Sequence, residues 1–223
     1  VQFLADAPAQ QQFWQQLGVN NHGYYQRKVS LFAYDHPQIQ SLLACWQQPD
    51  LNTLCLVPEG ALANQLMQYY PQLKQYGEQV INSLTLKVLP FMPQNDYDKL
   101  LLACDINFVR GEDSVIRAHW AAKPFIWQIY RQAEQVHLDK LNAFMQRYCA
   151  QMPEDVADSV QHFWLAWNTD SQLEHSWQKF SAMLPKIAEY NPIWRAALMA
   201  NGDLASNLVH FVEKKFIMRR NFS

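Results

Sequence analysis

Between residues 28 and 130 short apolar runs of β type alternate with amphipathic helical patterns, and from Val136 onward the β-type runs cease. No other feature limits the possible folds as strongly. The runs are Lys28 to Tyr34, Thr53 to Val57, Leu84 to Leu89, Ile106 to Val109 and Pro124 to Ile129. Helices are expected between them over 37–48, 61–69, 96–103 and 112–121, the first with Ile39, Leu42, Leu43 and Trp46 at the spacing of one helical face. Strands that are apolar without alternation must be covered on both sides, which helices on the two faces of a parallel sheet provide. The expected fold is therefore α/β: a Rossmann-like parallel sheet with flanking helices and right-handed crossovers. A polar helix over 7–17 precedes it, and a helical C-terminal region follows, with segments near 136–149, 155–167, 171–183, 185–200 and 203–217. One domain over 1–223 fits this order better than two.

Composition narrows the function classes. Charged residues make up 17% of the chain and the formal net charge is −2, with basic residues scattered. That pattern gives no footprint for nucleic acid or for an anionic membrane. No signal peptide opens the chain and no apolar run approaches the roughly 18 residues that span a bilayer, so a cytoplasmic location is expected. The four cysteines, Cys45, Cys55, Cys104 and Cys149, show no metal-type spacing and are expected to be buried, reduced thiols. GxSxG, HExxH, Walker and GxGxxG patterns are absent, which removes the motif support for hydrolase, metalloprotease, P-loop and ordinary dinucleotide readings.

In a parallel α/β sheet ligands gather at the carboxyl ends of the strands. The fourth run leads into Arg110-Gly111-Glu112-Asp113-Ser114 and then a helix. Gly111 permits a tight turn, the first helical turn offers free N–H groups to a phosphate, and Arg110 supplies a forked, permanent cation. Ser114 adds a hydroxyl donor, while Glu112 and Asp113 suit hydroxyls of a ribose or sugar placed beside the phosphates. The same three residues also suit helix capping, and both readings stay open. Leu89 to Tyr97 forms a second strand-to-helix loop stiffened by prolines. There Phe91 and Tyr97 offer stacking surfaces and Gln94 hydrogen bonds, with Asn95 or Asp96 as an alternative helix cap. Phe32 and Tyr34 share a parity at the end of the first run, which fits either a ligand surface or core packing. A lone His on a helix is usually solvated and tryptophans usually pack, so His119, Trp120 and Trp127 are left unassigned.

The run Leu89 to Asp98, the block Cys104 to Ser114 with its motif NFVRGEDS, and the segments Arg117 to Ala121, Lys123 to Phe125 and Trp127 to Tyr130 together resemble the EarP family of protein-arginine rhamnosyltransferases. Ser30 to Tyr34 and Cys55 to Gly60 extend the likeness. The resemblance implies the C-terminal, donor-binding half of a two-domain GT-B enzyme that transfers rhamnose, with inversion, from dTDP-β-L-rhamnose to an arginine of elongation factor P. It implies donor contacts at Phe32, Tyr34, Gln94, Tyr97, Arg110, Glu112, Asp113 and Ser114, with Phe91 a neighbour. Position 97 departs mildly, since some relatives carry Phe there. No cofactor and no metal are implied. The family's N-terminal domain, where the aspartate base resides, has no counterpart before Val1, so no catalytic residue is assigned here. Elongation factor P is the expected partner of the full-length enzyme, and residues 203–223 are expected to form a tail helix returning to the other domain. A catalytically silent nucleotide- or protein-binding module is the alternative.

Overall fold

The computed structural model describes residues 2–132, 135–203 and 205–212. Five of its strands are the apolar runs: β1 (Arg27–Leu31), β2 (Thr53–Pro58), β4 (Leu84–Leu89), β5 (Ile106–Arg110) and β6 (Phe125–Gln128). The remaining strand, β3 (Glu78–Ile81), was not expected; it pairs antiparallel with β4 at the sheet edge. Its sequence, EQVI, is half exposed and too short and polar to stand out. The order is β3-β4-β2-β1-β5-β6, and every other neighbouring pair is parallel.

The chain lays down β1, β2 and β4 towards one edge, then crosses to the other side of β1 for β5 and β6. The reversal of direction opens a crevice beyond the carboxyl ends of β1 and β5, where side chains from two diverging crossovers can meet. All six residues of β2 are buried. Leu54 and Leu56 join one apolar cluster, with Phe13 and Trp14 of α2 (Ala7–Gln16) and Leu100 of α5 (Gln94–Ala103); Cys55 and Val57 join the larger one on the opposite face. Successive residues of a strand point to opposite faces, so one strand feeds both cores.

The connecting helices α3 (Ile39–Cys45), α4 (Ala61–Tyr69) and α6 (Asp113–Ala121) lie where the periodicity puts them, and a short α1 (Gln2–Ala5) precedes α2. Three helices follow the sheet: α7 (Val136–Cys149), α8 (Glu154–Thr169) and α9 (Leu173–Met199). The expected break between 183 and 185 does not occur, because α9 runs through both Pro185 and Pro192. Each proline removes one helical hydrogen bond, but Trp177, Phe180, Ile187, Tyr190 and Trp194 bury the same helix on both sides of Pro185. Packing outweighs the local preference. Cys45 is half-buried rather than buried; the other cysteines are buried, and all four are free thiols. Of the tail expected over 203–223, residues 205–212 are helical and exposed, whereas residue 204 and residues 213–223 lie outside the described residues. Among the described residues no helix is long and apolar enough to cross a membrane.

Candidate functional site

A cavity of about 630 Å³ lies at the crevice, within the range of small-molecule sites. Its walls include all nine expected residues, Phe32, Tyr34, Phe91, Gln94, Tyr97, Arg110, Glu112, Asp113 and Ser114, drawn from the ends of β1, β4 and β5. Pro58, Glu59, Pro90, Met92, Gly111 and Arg117 complete it.

Phe32 and Tyr34 fall just beyond β1, since regular pairing ends at Leu31, although the Phe32 N–H still donates to the Phe108 carbonyl at 3.1 Å. Their shared parity serves the site. The Arg110 guanidinium carbon lies 4.4 Å from the Phe32 ring centroid and 4.7 Å from that of Tyr34, within cation–π range. Arg110 also lies over Gly60, where an added Cβ would meet its Nη2 at 3.4 Å. Two aromatic rings and a bare backbone thus fix the direction of this cation, with no acidic partner among the described residues. Its hydrogen-bonding edge stays available to an anion.

The turn that delivers Arg110 depends on Gly111, whose φ of +63° is left-handed and whose absent Cβ leaves room for the Tyr34 hydroxyl at 3.3 Å. Trp127 Nε1 donates to the Gly111 carbonyl, and the Gly111 N–H donates to Gln128 O at 3.2 Å. Gln128, buried at the end of β6, holds the other wall by accepting the Tyr34 N–H on its Oε1 at 2.7 Å. A polar residue closing the apolar run FIWQ was the available signal for this role.

Ser114 departs from expectation. Its hydroxyl accepts the Arg110 N–H at 2.9 Å and donates to the Arg110 carbonyl, so its hydrogen is committed to bracing the strand-to-helix turn. It is not a free donor for phosphate. The capping reading of this segment also lacks its hydrogen bond: Glu112 occupies the cap position of α6 without a side-chain bond to the helix. Asp113 stands in the first turn with its side chain 78% exposed and accepts from Arg117 Nε at 3.0 Å. Likewise neither Asn95 nor Asp96 caps α5, which starts at Gln94 after Pro93; Asp96 pairs with Lys99 at 2.8 Å.

Tyr97 packs edge-on to Phe32 at 5.6 Å. Its hydroxyl is buried beside Ser114 without hydrogen-bond geometry to any partner among the described residues, and burial pushes the phenol pKa well up. Phe91 is 84% exposed on the proline-stiffened loop. Glu59, which the sequence reading passed over, anchors that loop by accepting the Phe91 N–H on Oε2 at 2.9 Å and the Tyr76 hydroxyl at 3.4 Å. His119, left unassigned, departs from the usual solvated case: it is buried, its Nδ1 accepts from Trp194 Nε1 at 3.2 Å, and burial lowers its pKa to about 4. Trp127 is buried as expected, whereas Trp120 is 49% exposed.

Fold and pocket define an open, mostly parallel α/β domain with a crevice at its topological switch point, walled by aromatic rings and by an arginine that has no acidic partner among the described residues. Residues 1–213 match the family described as Elongation-Factor P (EF-P) rhamnosyltransferase EarP, and the chain belongs to that family. The protein-arginine rhamnosyltransferase of Pseudomonas aeruginosa is 40% identical over 211 residues, which are 94% of this chain and 56% of that protein. That of Shewanella oneidensis is 35% identical over 212 residues, 91% of this chain and 54% of that one. A solved structure described as the structural basis for EarP-mediated arginine glycosylation of translation elongation factor EF-P matches with a TM-score of 0.84 and 35% identity, over 95% of this chain and 68% of that one. The chain spans about half the length of these curated relatives.

Proposed function

We propose that this chain is the donor-binding half of an inverting GT-B glycosyltransferase, holding dTDP-β-L-rhamnose for transfer of rhamnose to an arginine of elongation factor P in the cytoplasm. The observation that carries the reading is Arg110: a forked cation at the switch-point crevice, held by Phe32 and Tyr34, with no carboxylate against it among the described residues. A diphosphate suits that arrangement, taking the guanidinium fork together with N–H groups at the start of α6. Phe91, Tyr97 and Gln94 offer stacking and hydrogen bonds to a base. Glu112 and Asp113 would accept from sugar or ribose hydroxyls, and Ser114 would act through the Arg110 turn it braces.

Inversion at the anomeric carbon requires the nucleotide diphosphate to leave as the acceptor nitrogen attacks from the opposite face. Arg110 and the α6 terminus would stabilise the charge that develops on the departing oxygens, a role protein donors can fill without a metal ion. Protonated arginine is a poor nucleophile, so the acceptor guanidinium needs a carboxylate to orient and deprotonate it. We assign that base to the part of the full-length enzyme outside this chain, because Glu112 and Asp113 are already committed to the donor. Residues 205–212, the described helical part of the expected tail, would belong to the segment that returns to that part.

Calorimetric titration of the chain with dTDP-rhamnose, dTDP-glucose and UDP-glucose, with and without EDTA, tests the reading. Preferential, EDTA-insensitive binding of dTDP-rhamnose is expected; no binding of any nucleotide sugar would overturn it. Incubated with donor and elongation factor P, the chain alone should transfer no deoxyhexose by intact-protein mass spectrometry.

A further inference from the structure

Asp113 is offered to the pocket by an exposed first-turn position, where a short carboxylate samples several rotamers unless something holds it. Arg117, one helical turn later, supplies the hold. Its Nε donates to Asp113 Oδ2 at 3.0 Å, while its Nη1 donates to Asp98 Oδ1 at 2.8 Å and Oδ2 at 2.9 Å. Asp98 belongs to α5, the other helix that opens onto the cavity, so the guanidinium ties two pocket-forming helices through one planar group. An exposed i, i+4 pair contributes little by itself. Here the arginine side chain is only 19% exposed and is anchored by Asp98 at its far end, so the geometry of Asp113 is set by a group that is itself fixed. One oxygen of Asp113 is engaged by Arg117 and the other is left for a ligand.

From this arrangement we infer that Arg117 is a positioning residue for the donor: it orients the Asp113 carboxylate towards a ligand hydroxyl and takes no phosphate itself. This rests on the donor-binding reading above. The contrast with Arg110 carries it, since that arginine has no carboxylate partner among the described residues whereas Arg117 spends two of its nitrogens on two carboxylates. A guanidinium so occupied is poorly placed to receive a diphosphate, but well placed to keep a carboxylate aimed.

The experiment is a double-mutant cycle on dTDP-rhamnose affinity with Arg117→Met, Asp113→Asn and the double variant, together with Asp98→Asn as a milder way to loosen the same group. Arg117→Met should weaken binding about five- to ten-fold, Asp98→Asn by less, and the double variant should bind no more weakly than Asp113→Asn alone. If the Arg117→Met loss persists in full in the Asp113→Asn background, Arg117 touches the ligand directly and the inference is wrong; wild-type affinity in both Arg117→Met and Asp98→Asn overturns it equally. A ligand-free arm separates this from the parent reading: side-chain couplings of Asp113 should report one χ1 rotamer in the wild type and averaging in Arg117→Met. A single rotamer in both refutes positioning whatever the nucleotide titrations show, while ordered Asp113 in a wild type that binds no nucleotide sugar refutes the donor reading alone.

Discussion

The rings of the carboxyl-edge pocket and those of the helical layer built by α8 and α9 are the same residue types in opposite settings. Phe91 is 84% exposed and Tyr97 keeps a hydroxyl beside the cavity that has no hydrogen-bond partner among the described residues, whereas Trp164 is fully buried against Phe144 and Tyr148, Trp167 against His36 and Phe108, and Trp177 against Phe163 and Phe180. Trp177 alone contacts Trp46, Phe108, Phe163 and Phe180 within 6.4 Å between ring centroids. The layer even accepts indole N–H groups without partners among the described residues, at Trp164, Trp167 and Trp177, as does Trp46 packed against it from the end of α3, a cost close packing must offset. In the pocket the positions of the rings and of the arginine beside them come instead from clamps on the backbone: Gln128 on Tyr34, Glu59 on Phe91, Ser114 on Arg110. Aromatic side chains are thus a stability device in one region and a recognition surface in the other, and the two should fail differently when altered.

The largest effect should come from the layer. Trp177→Ala opens a cavity among four rings and should cost about 3–5 kcal/mol of stability, read by denaturant unfolding. Trp177→Phe should cost clearly less, because it also removes a buried N–H that has no partner. Equal losses would mean that the indole makes a contribution beyond its volume. Next comes the pocket: Arg110→Ala should leave the melting temperature nearly unchanged while weakening dTDP-rhamnose binding about 10- to 100-fold, the loss of a charge-assisted contact or two. Arg117→Ala should weaken it less. An inverted order would move the diphosphate away from the β5 turn.

Smaller still, Glu112→Gln and Asp113→Asn should each cost about three- to ten-fold in affinity. Neither makes a capping bond to α6, so melting temperature should scarcely move. A shift in melting temperature with unchanged affinity would return these acids to a role in helix stability. The smallest effect concerns α6, which both regions share, since it starts at the pocket and ends against Trp194 of α9. Burial lowers the His119 pKa from 6.5 to about 4, so the unfolded chain binds the extra proton first. Its contribution to stability is full above pH 6.5 and is lost as the pH falls towards 4. His36, also lowered by burial, acts with the same sign. His119→Phe should therefore flatten the decline of melting temperature between pH 7 and 5 without abolishing it, and an unchanged slope would place the acid sensitivity elsewhere.

Much of this was legible in the chain itself. Continuous apolar runs spaced by amphipathic helices dictated a parallel sheet covered on both faces, because no other arrangement buries such strands and satisfies their backbone. The same order put the loops after β1, β4 and β5 on one edge, so the residue types with binding chemistry could be named before their neighbours were known. The tertiary structure alone decided how those residues divide the work. Arg110 and Arg117 are both arginines at the edge of one turn, yet only packing leaves the first against rings and the second between two carboxylates. Ser114 reads as a donor in sequence, but its single hydroxyl hydrogen goes to the nearest carbonyl. Edge strand β3, the unbroken α9 and the buried His119 escaped notice for one reason: each is fixed by contacts with residues distant in the chain, and local periodicity carries no information about those.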